Sequence, residues 1–299
     1  MDRKTLLGGL SLLVLLAGCS PRQRIAVGSK NFTEQVILGE IIAQHIEDRL
    51  HQPVDRKLNL GGMLLAHQAL LSKDIDLYPE YTGTAFANVL KSGGVTDPAV
   101  VLERVRAEYA RMHLEWLDPL GFDSSFAMAV RGEEARSRHL ETLSDAARDP
   151  SGFGLGCGYE FLTHPDGFAA VNTKYSIKWT SAPKTMDLGL LYRALDDKQV
   201  SMVAGNTTDG VLSKLDVRVL KDDQHAFPPY QACIVVRSDV LSANPELRKI
   251  LSELSGKIND GAMRDMNYAV DGEHRPVREV AKEFLAKSGL SARVDGPQH

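Results

Sequence analysis

Apolar and polar positions along the chain switch repeatedly between the two periods that mark strands and helices. Ile25, Ala26 and Val27 form a short apolar run within residues 24–28 and read as a strand. Val36, Ile37, Ile41 and Ile46 then recur on one helical face as far as about Leu50. Asn31, with Glu34 three residues later, fits a capping box that opens this helix. Residues 54–60 read as a second strand ending at Gly61-Gly62. A second helix follows over Met63–Leu71, carrying Leu64, Leu65, Leu70 and Leu71. Ile75 and Leu77 begin a third strand. The order β-α-β-α-β, with ligand-type loops at strand ends, is that of an open α/β sheet.

The pattern continues with a helix over residues 98–112, opened by Asp97, and a crossing segment over residues 115–121. A strand at residues 126–130 starts new surroundings. The glycine-rich run 152–159 lacks the Lys-Ser/Thr end of a phosphate-binding loop and reads as a strand with close backbone packing. A helix at 188–195 and a strand at 200–204 lead into Gly205-Asn206-Thr207-Thr208-Asp209-Gly210, another ligand-type loop. A strand at 217–220 precedes the rigid Phe227-Pro228-Pro229-Tyr230, which enters a strand at 232–236. Amphipathic helices fill residues 245–255, 260–270 and 277–288.

The stretch from Asp74 to Thr84 carries the densest candidate chemistry. It reads as a strand running into a turn with two tyrosines, a proline, a carboxylate and two threonines around Gly83. Pro79 fixes its own φ and pushes Tyr78 toward extended geometry, while Gly83 permits a tight turn. A tyrosine offers a π-face for a cation and a hydroxyl that donates a hydrogen bond. A plain packed turn is the alternative. Lys30, between a strand end and a helix N-terminus, sits where backbone N–H groups and an ammonium would meet an anion; a solvated lysine is the alternative.

The chain has 299 residues, enough for two lobes with real cores, and its 43% hydrophobic and 25% charged residues are those of a globular protein. Its net charge of −4, without any Lys/Arg run, speaks against a nucleic-acid partner. Residues 1–18 read as a signal peptide: charged Asp2-Arg3-Lys4, an apolar run too short to span a bilayer, then Leu16-Ala17-Gly18-Cys19. Those last four residues resemble a bacterial lipobox. They imply a lipid-modified Cys19, a linker at 19–23, and a mature chain anchored on the membrane at the periplasm or outer face of the cell. Cys157 and Cys233 remain; a disulfide and two buried thiols are both open. The sequence holds no HExxH, CxxC or G-x-S-x-G pattern, and its nine histidines lack metal-ligand spacing. No metal, cofactor or enzymatic activity is expected. A hydrolase using Cys157 or Cys233 is the reading left from that class.

Gly28-Ser29-Lys30-Asn31-Phe32-Thr33-Glu34, the motif Ile75 to Thr84, Thr208-Asp209-Gly210, Asp222-Asp223 and Phe227-Pro228-Pro229-Tyr230 occur in that order. Together they resemble the substrate-binding proteins of osmoprotectant ABC importers, which take glycine betaine, choline, carnitine and related quaternary ammonium compounds. The resemblance spans about residues 25–290. It implies a monomeric, two-lobed, type II Venus-flytrap fold of the α/β class. Residues 24–119 plus 225–299 would form one lobe and 120–224 the other, with hinge crossings near Pro119 and Pro228. The solute would bind between the lobes, and the closed form would dock on an ABC permease served by an ATPase.

The same resemblance implies an aromatic cage at Tyr81, Phe126, Asn206 and Tyr230, with Thr82 behind Tyr81 and with Lys30 and His164 on the solute carboxylate. Two tyrosines match the family pattern. Phe126 keeps the ring without the hydroxyl, Asn206 has no ring, and His164 stands where an arginine is expected. These departures imply a bulkier or more polar betaine, carrying a ring or hydroxyl that Asn206 meets; Tyr192 is an alternative source of the missing wall. Asp209 is expected to brace its loop and Tyr78 to pack. A sensory lipoprotein that keeps the cleft without transport is a further reading.

Overall fold

The computed structural model describes residues 24–95 and 97–290. The leader, Cys19 and the linker lie outside the described residues. Among the described residues ten strands form two five-stranded sheets. The first holds β1 (Ala26–Gly28), β2 (Asp55–Lys57), β3 (Leu77–Tyr81), β4 (Leu114–Trp116) and β10 (Ala232–Arg237), in the order β2-β1-β3-β10-β4. The second holds β5 (Phe126–Arg131), β6 (Leu155–Cys157), β7 (Lys184–Thr185), β8 (Met202–Asn206) and β9 (Val217–Val219), in the order β7-β6-β8-β5-β9. The chain crosses from the first sheet to the second after β4 and returns after β9. The first strand after each crossing, β5 or β10, enters its sheet in fourth place. It runs antiparallel to β8 in one case and to β3 in the other. The result is two lobes, each an α/β sandwich, joined by two crossings.

Most sequence-predicted elements appear within one to three residues of their expected bounds. The largest difference is β3. Residues expected to turn after Leu77 continue as strand through Tyr81, all five of them buried. Pro79 is tolerated because β1 pairs with β3 only at Leu77, leaving β10 as the neighbour beyond that point. The chain then bends into short helical segments, Thr82–Thr84 and Ala85–Val89. Asp97 caps the helix Pro98–Ala110 as expected, accepting from the N–H groups of Ala99 (2.9 Å) and Val100 (3.2 Å).

The helix Thr33–Leu50 is the spine of the first lobe. Ile37, Leu38, Ile41, Ile42 and Ile46 are almost fully buried against the sheet and the C-terminal helices. Cys157 in β6 and Cys233 in β10 are both free, buried thiols on separate sheets. Burial pushes their pKa values up to about 11 and about 12, so both stay protonated. Among the described residues no helix is long and apolar enough to cross a membrane.

Thr82 fastens the end of β3 to the returning crossing. Its hydroxyl donates to the Pro229 carbonyl (3.0 Å) and accepts from the Gln231 N–H (3.0 Å), and its own N–H donates to the Gln231 carbonyl. The Thr82 side chain is buried. Thr82→Val keeps the shape and strands both partners. We expect a loss of about 1–3 kcal/mol in chemical denaturation, with far-UV circular dichroism of the native state unchanged.

Candidate ligand-binding cleft

The ends of strands from both sheets converge on one cleft of about 960 Å³. β1 delivers Lys30 and Phe32, β3 ends on Tyr81, β5 begins at Phe126, β8 ends on Asn206, and the returning crossing supplies Tyr230. The antiparallel register pairs Phe126 with Asn206, which puts both at the same rim of the second sheet. Phe126 is the hub of an aromatic cluster. Its ring centroid lies 5.0 Å from Phe161, 5.6 Å from Phe227 and 5.7 Å from Tyr230. On the opposite side Phe32 stacks on Tyr81 at 6.4 Å and 19°. Tyr159 lines the mouth and is 72% exposed.

Four buried tyrosine hydroxyls, two in the lining of the cleft and two behind it, each donate to a carboxylate. Tyr81 donates to Glu34 (2.6 Å), Tyr78 to Glu80 (3.1 Å), Tyr192 to Asp209 (2.8 Å) and Tyr230 to Asp166. Burial, reinforced by the neighbouring carboxylate, drives all four phenols well above their ordinary pKa. They remain neutral donors at any physiological pH. Glu34, Glu80 and Asp166 are themselves buried. The buried ammonium of Lys30 is paired with Glu80 at 2.6 Å and sits 4.4 Å from the Tyr81 ring centroid. Aromatic faces, neutral phenol donors and an excess of buried negative charge thus meet in one place. Such a cleft favours a cation that needs no hydrogen-bond acceptor.

The structure brings Tyr81, Phe126, Tyr230, Lys30, Asn206 and His164 to the lining of the cleft. Lys30 faces Glu80 there, and not an open anion site. Thr82 and Tyr192 do not line it. Thr82 is the crossing fastener described above, and Tyr192 lies behind Gly205, holding Asp209. Asp209 also accepts from the Asn206 N–H (2.8 Å), the expected brace of its loop. Tyr78 is fully buried packing.

The expected capping box at Asn31 does not form. The helix starts from Phe32 in extended geometry without a side-chain cap. Glu34 instead turns inward to accept from Tyr81 and from Asn267 Nδ2 (3.1 Å), because a buried phenol needs its acceptor more than an exposed helix end needs a cap. Glu34, Phe32, Tyr159, Asp166 and Asn267 escape sequence reasoning. Phe32 and Glu34 had a local signal, their places near Lys30 in the motif, and Glu34 was read there as a helix cap. Among the described residues no cluster of His, Cys, Asp or Glu could hold a metal ion.

Residues 23–287 match the family described as the substrate-binding domain of an ABC-type glycine betaine transport system. The chain belongs to this family. Substrate-binding domains of ABC transport systems work outside the cytoplasm; they bind small molecules for a permease and catalyse nothing. This family member is 37% identical over 268 residues to the ergothioneine transport permease/ergothioneine binding protein EgtU of Helicobacter pylori, covering 89% of this chain but 48% of that protein. It thus spans about half the length of that relative. It is 32% identical to the carnitine transport binding protein OpuCC of Listeria monocytogenes, covering 91% and 89% of the two chains. Identity to a glycine-betaine-binding protein of Pseudomonas aeruginosa is 33%, covering 92% and 91%. A crystal structure of a glycine betaine/carnitine/choline ABC transporter superposes with a TM-score of 0.77 at 30% identity, covering 89% of this chain and 99% of that one. The two-lobed fold is that of this binding-protein family.

Burial raises Asp209 from its ordinary 3.8 to about 6, and the Glu34 carboxylate adds to the shift. A carboxyl whose pKa rises on folding favours the folded state while protonated. That contribution is complete below about pH 4 and is lost as pH rises through about 6. Asp209→Asn keeps an oxygen for Tyr192 and Asn206. The stability difference between wild type and D209N should therefore shift in favour of the variant, by about 2–3 kcal/mol, between about pH 4 and about pH 7. Thermal unfolding across that range measures it.

Proposed function

We propose that this chain captures a trimethylammonium betaine between its lobes and hands it to the permease of an ABC importer. The observation that carries the reading is the pairing of the cleft phenols Tyr81 and Tyr230 with buried carboxylates. A phenol that donates to a carboxylate has an electron-richer ring, and the fixed negative charge behind it adds to the pull on a cation. A quaternary ammonium has no N–H and is read by such faces and not by hydrogen bonds. Tyr81, Phe126 and Tyr230 are the cage walls, Phe32 and Tyr159 extend them, and Thr82 holds Tyr81's strand end from behind. Lys30 ties down the floor through Glu80.

The solute is a bulkier betaine than glycine betaine, with ergothioneine, a ring-bearing histidine betaine, as the leading candidate. Two things support this. Asn206 stands where the family pattern implies a ring, and a relative named for ergothioneine binding shares 37% identity. Asn206 and His164 meet the polar groups of the distal ring or the carboxylate. The lobes divide at residues 24–119 plus 225–299 and 120–224, and they close on the solute as a monomer. Lipid on Cys19 keeps the receptor on the membrane that carries the permease and its ATPase.

Calorimetric titration with glycine betaine, carnitine, choline and ergothioneine tests the reading. Ergothioneine is expected to bind most tightly, and the Phe126→Ala variant to bind it about tenfold more weakly, as for one lost cation–π wall of about 1–2 kcal/mol. Tight glycine betaine binding with no preference for bulkier members would sink the choice of solute. Binding of none of the four would sink the class.

A further inference from the structure

Asn267 lies on the helix Asp260–Asp271 and is 4% exposed. Its Nδ2 donates to Glu34 Oε2 (3.1 Å) at the start of the first-lobe helix, and to the Thr208 carbonyl (2.9 Å) in the loop after β8. Both neighbours only accept, so the amide nitrogen must face them, and its two hydrogens serve one each. The other oxygen of Glu34 accepts from the Tyr81 hydroxyl. One unbroken chain of hydrogen bonds therefore runs from a wall of the cleft, through Glu34 and Asn267, to the second sheet's loop. A second bond from the same helix, Arg264 Nε to the Thr207 carbonyl (2.8 Å), runs beside it. The loop is pressed onto the helix: a β-carbon at Gly210 would lie 2.3 Å from the Tyr268 nitrogen. Within the loop, Thr208 Oγ1 shares a 3.0 Å bond with Ser124 Oγ from the outgoing crossing.

We propose that Asn267 is a positioning residue that couples the orientation of Tyr81 to the docking of the second lobe. It touches no solute. It acts by making the placement of the Tyr81 ring and the seating of the 207–210 loop one event, so that a correctly placed wall and a closed cleft stabilise each other. The inference rests on the reading of Tyr81 as a wall of the solute site. Loss of Asn267 should leave capture of the solute nearly intact and hasten its release.

The test is Asn267→Leu, of similar size and without hydrogen bonds, studied in the full chain by two measurements. Stopped-flow kinetics with ergothioneine should show the dissociation rate rising about tenfold while the association rate stays within about threefold. Hydrogen exchange of the solute-free protein should accelerate about tenfold at residues 207–213 and little elsewhere. An unchanged dissociation rate in the folded variant overturns the coupling, as does exchange that accelerates evenly over the whole chain. If the leucine variant does not fold, Asn267→Ser, which cannot reach both partners, is read by the same criteria. Should the wild type bind no ergothioneine, the failure belongs to the solute reading. Exchange at 207–213 then decides the coupling alone, and an unchanged pattern there overturns it.

Discussion

Everything at the cleft depends on one buried acid, Glu80. Its carboxylate is fully buried. One oxygen takes the Lys30 ammonium (2.6 Å) and the Tyr81 N–H (2.7 Å), and the other takes the Tyr78 hydroxyl (3.1 Å). A carboxylate in such surroundings is tolerable only with its charge matched and its lone pairs occupied. That requirement fixes Lys30 against the end of β3 and holds the Tyr81 backbone in register. It also gives Tyr78 its buried place. Removing either partner of such a pair costs about 3–5 kcal/mol, so Lys30 and Glu80 behave as one unit. The pair also consumes the cleft's buried positive charge. What remains facing the space between the lobes is aromatic surface with carboxylates behind it.

That arrangement separates two jobs often given to one side chain. The rings of Tyr81 and Tyr230 line the cleft, while their hydroxyls are tied to the buried acids Glu34 and Asp166. A ring anchored at its far end has little rotational freedom left to lose. The cost of ordering it is met during folding, when the phenol–carboxylate bonds form. The acids gain in return: each hydroxyl lowers the penalty of keeping a charge out of water.

Much of this was legible in the sequence, and the illegible parts share a cause. The order of strands and helices followed from periodicity, and the motif around Tyr81 named the family. The crossings were marked by prolines. What failed were inferences from local rules about residues with distant partners. Glu34 satisfies the spacing of a capping box, yet its acceptors are used by Tyr81 and by Asn267, more than two hundred residues on. Pro79 reads as a strand stop, yet it sits in a strand whose inner neighbour has already ended. Thr82 looked like part of the site and instead binds two chain segments together. Tyr159 and Asp166 carried no local pattern, because their importance comes from what the fold sets opposite them.

The contact at Gly210 has a consequence of its own. There the loop of one half meets the backbone of a helix from the C-terminal segment, with no room for even a methyl group. The approach of these two segments is therefore limited by main-chain atoms, which cannot rotate out of the way as side chains can. A single added carbon would act as a doorstop, holding the loop off the helix by about its own width. The closeness of that fit is set by an atom that is absent, at a position outside the lining of the cleft.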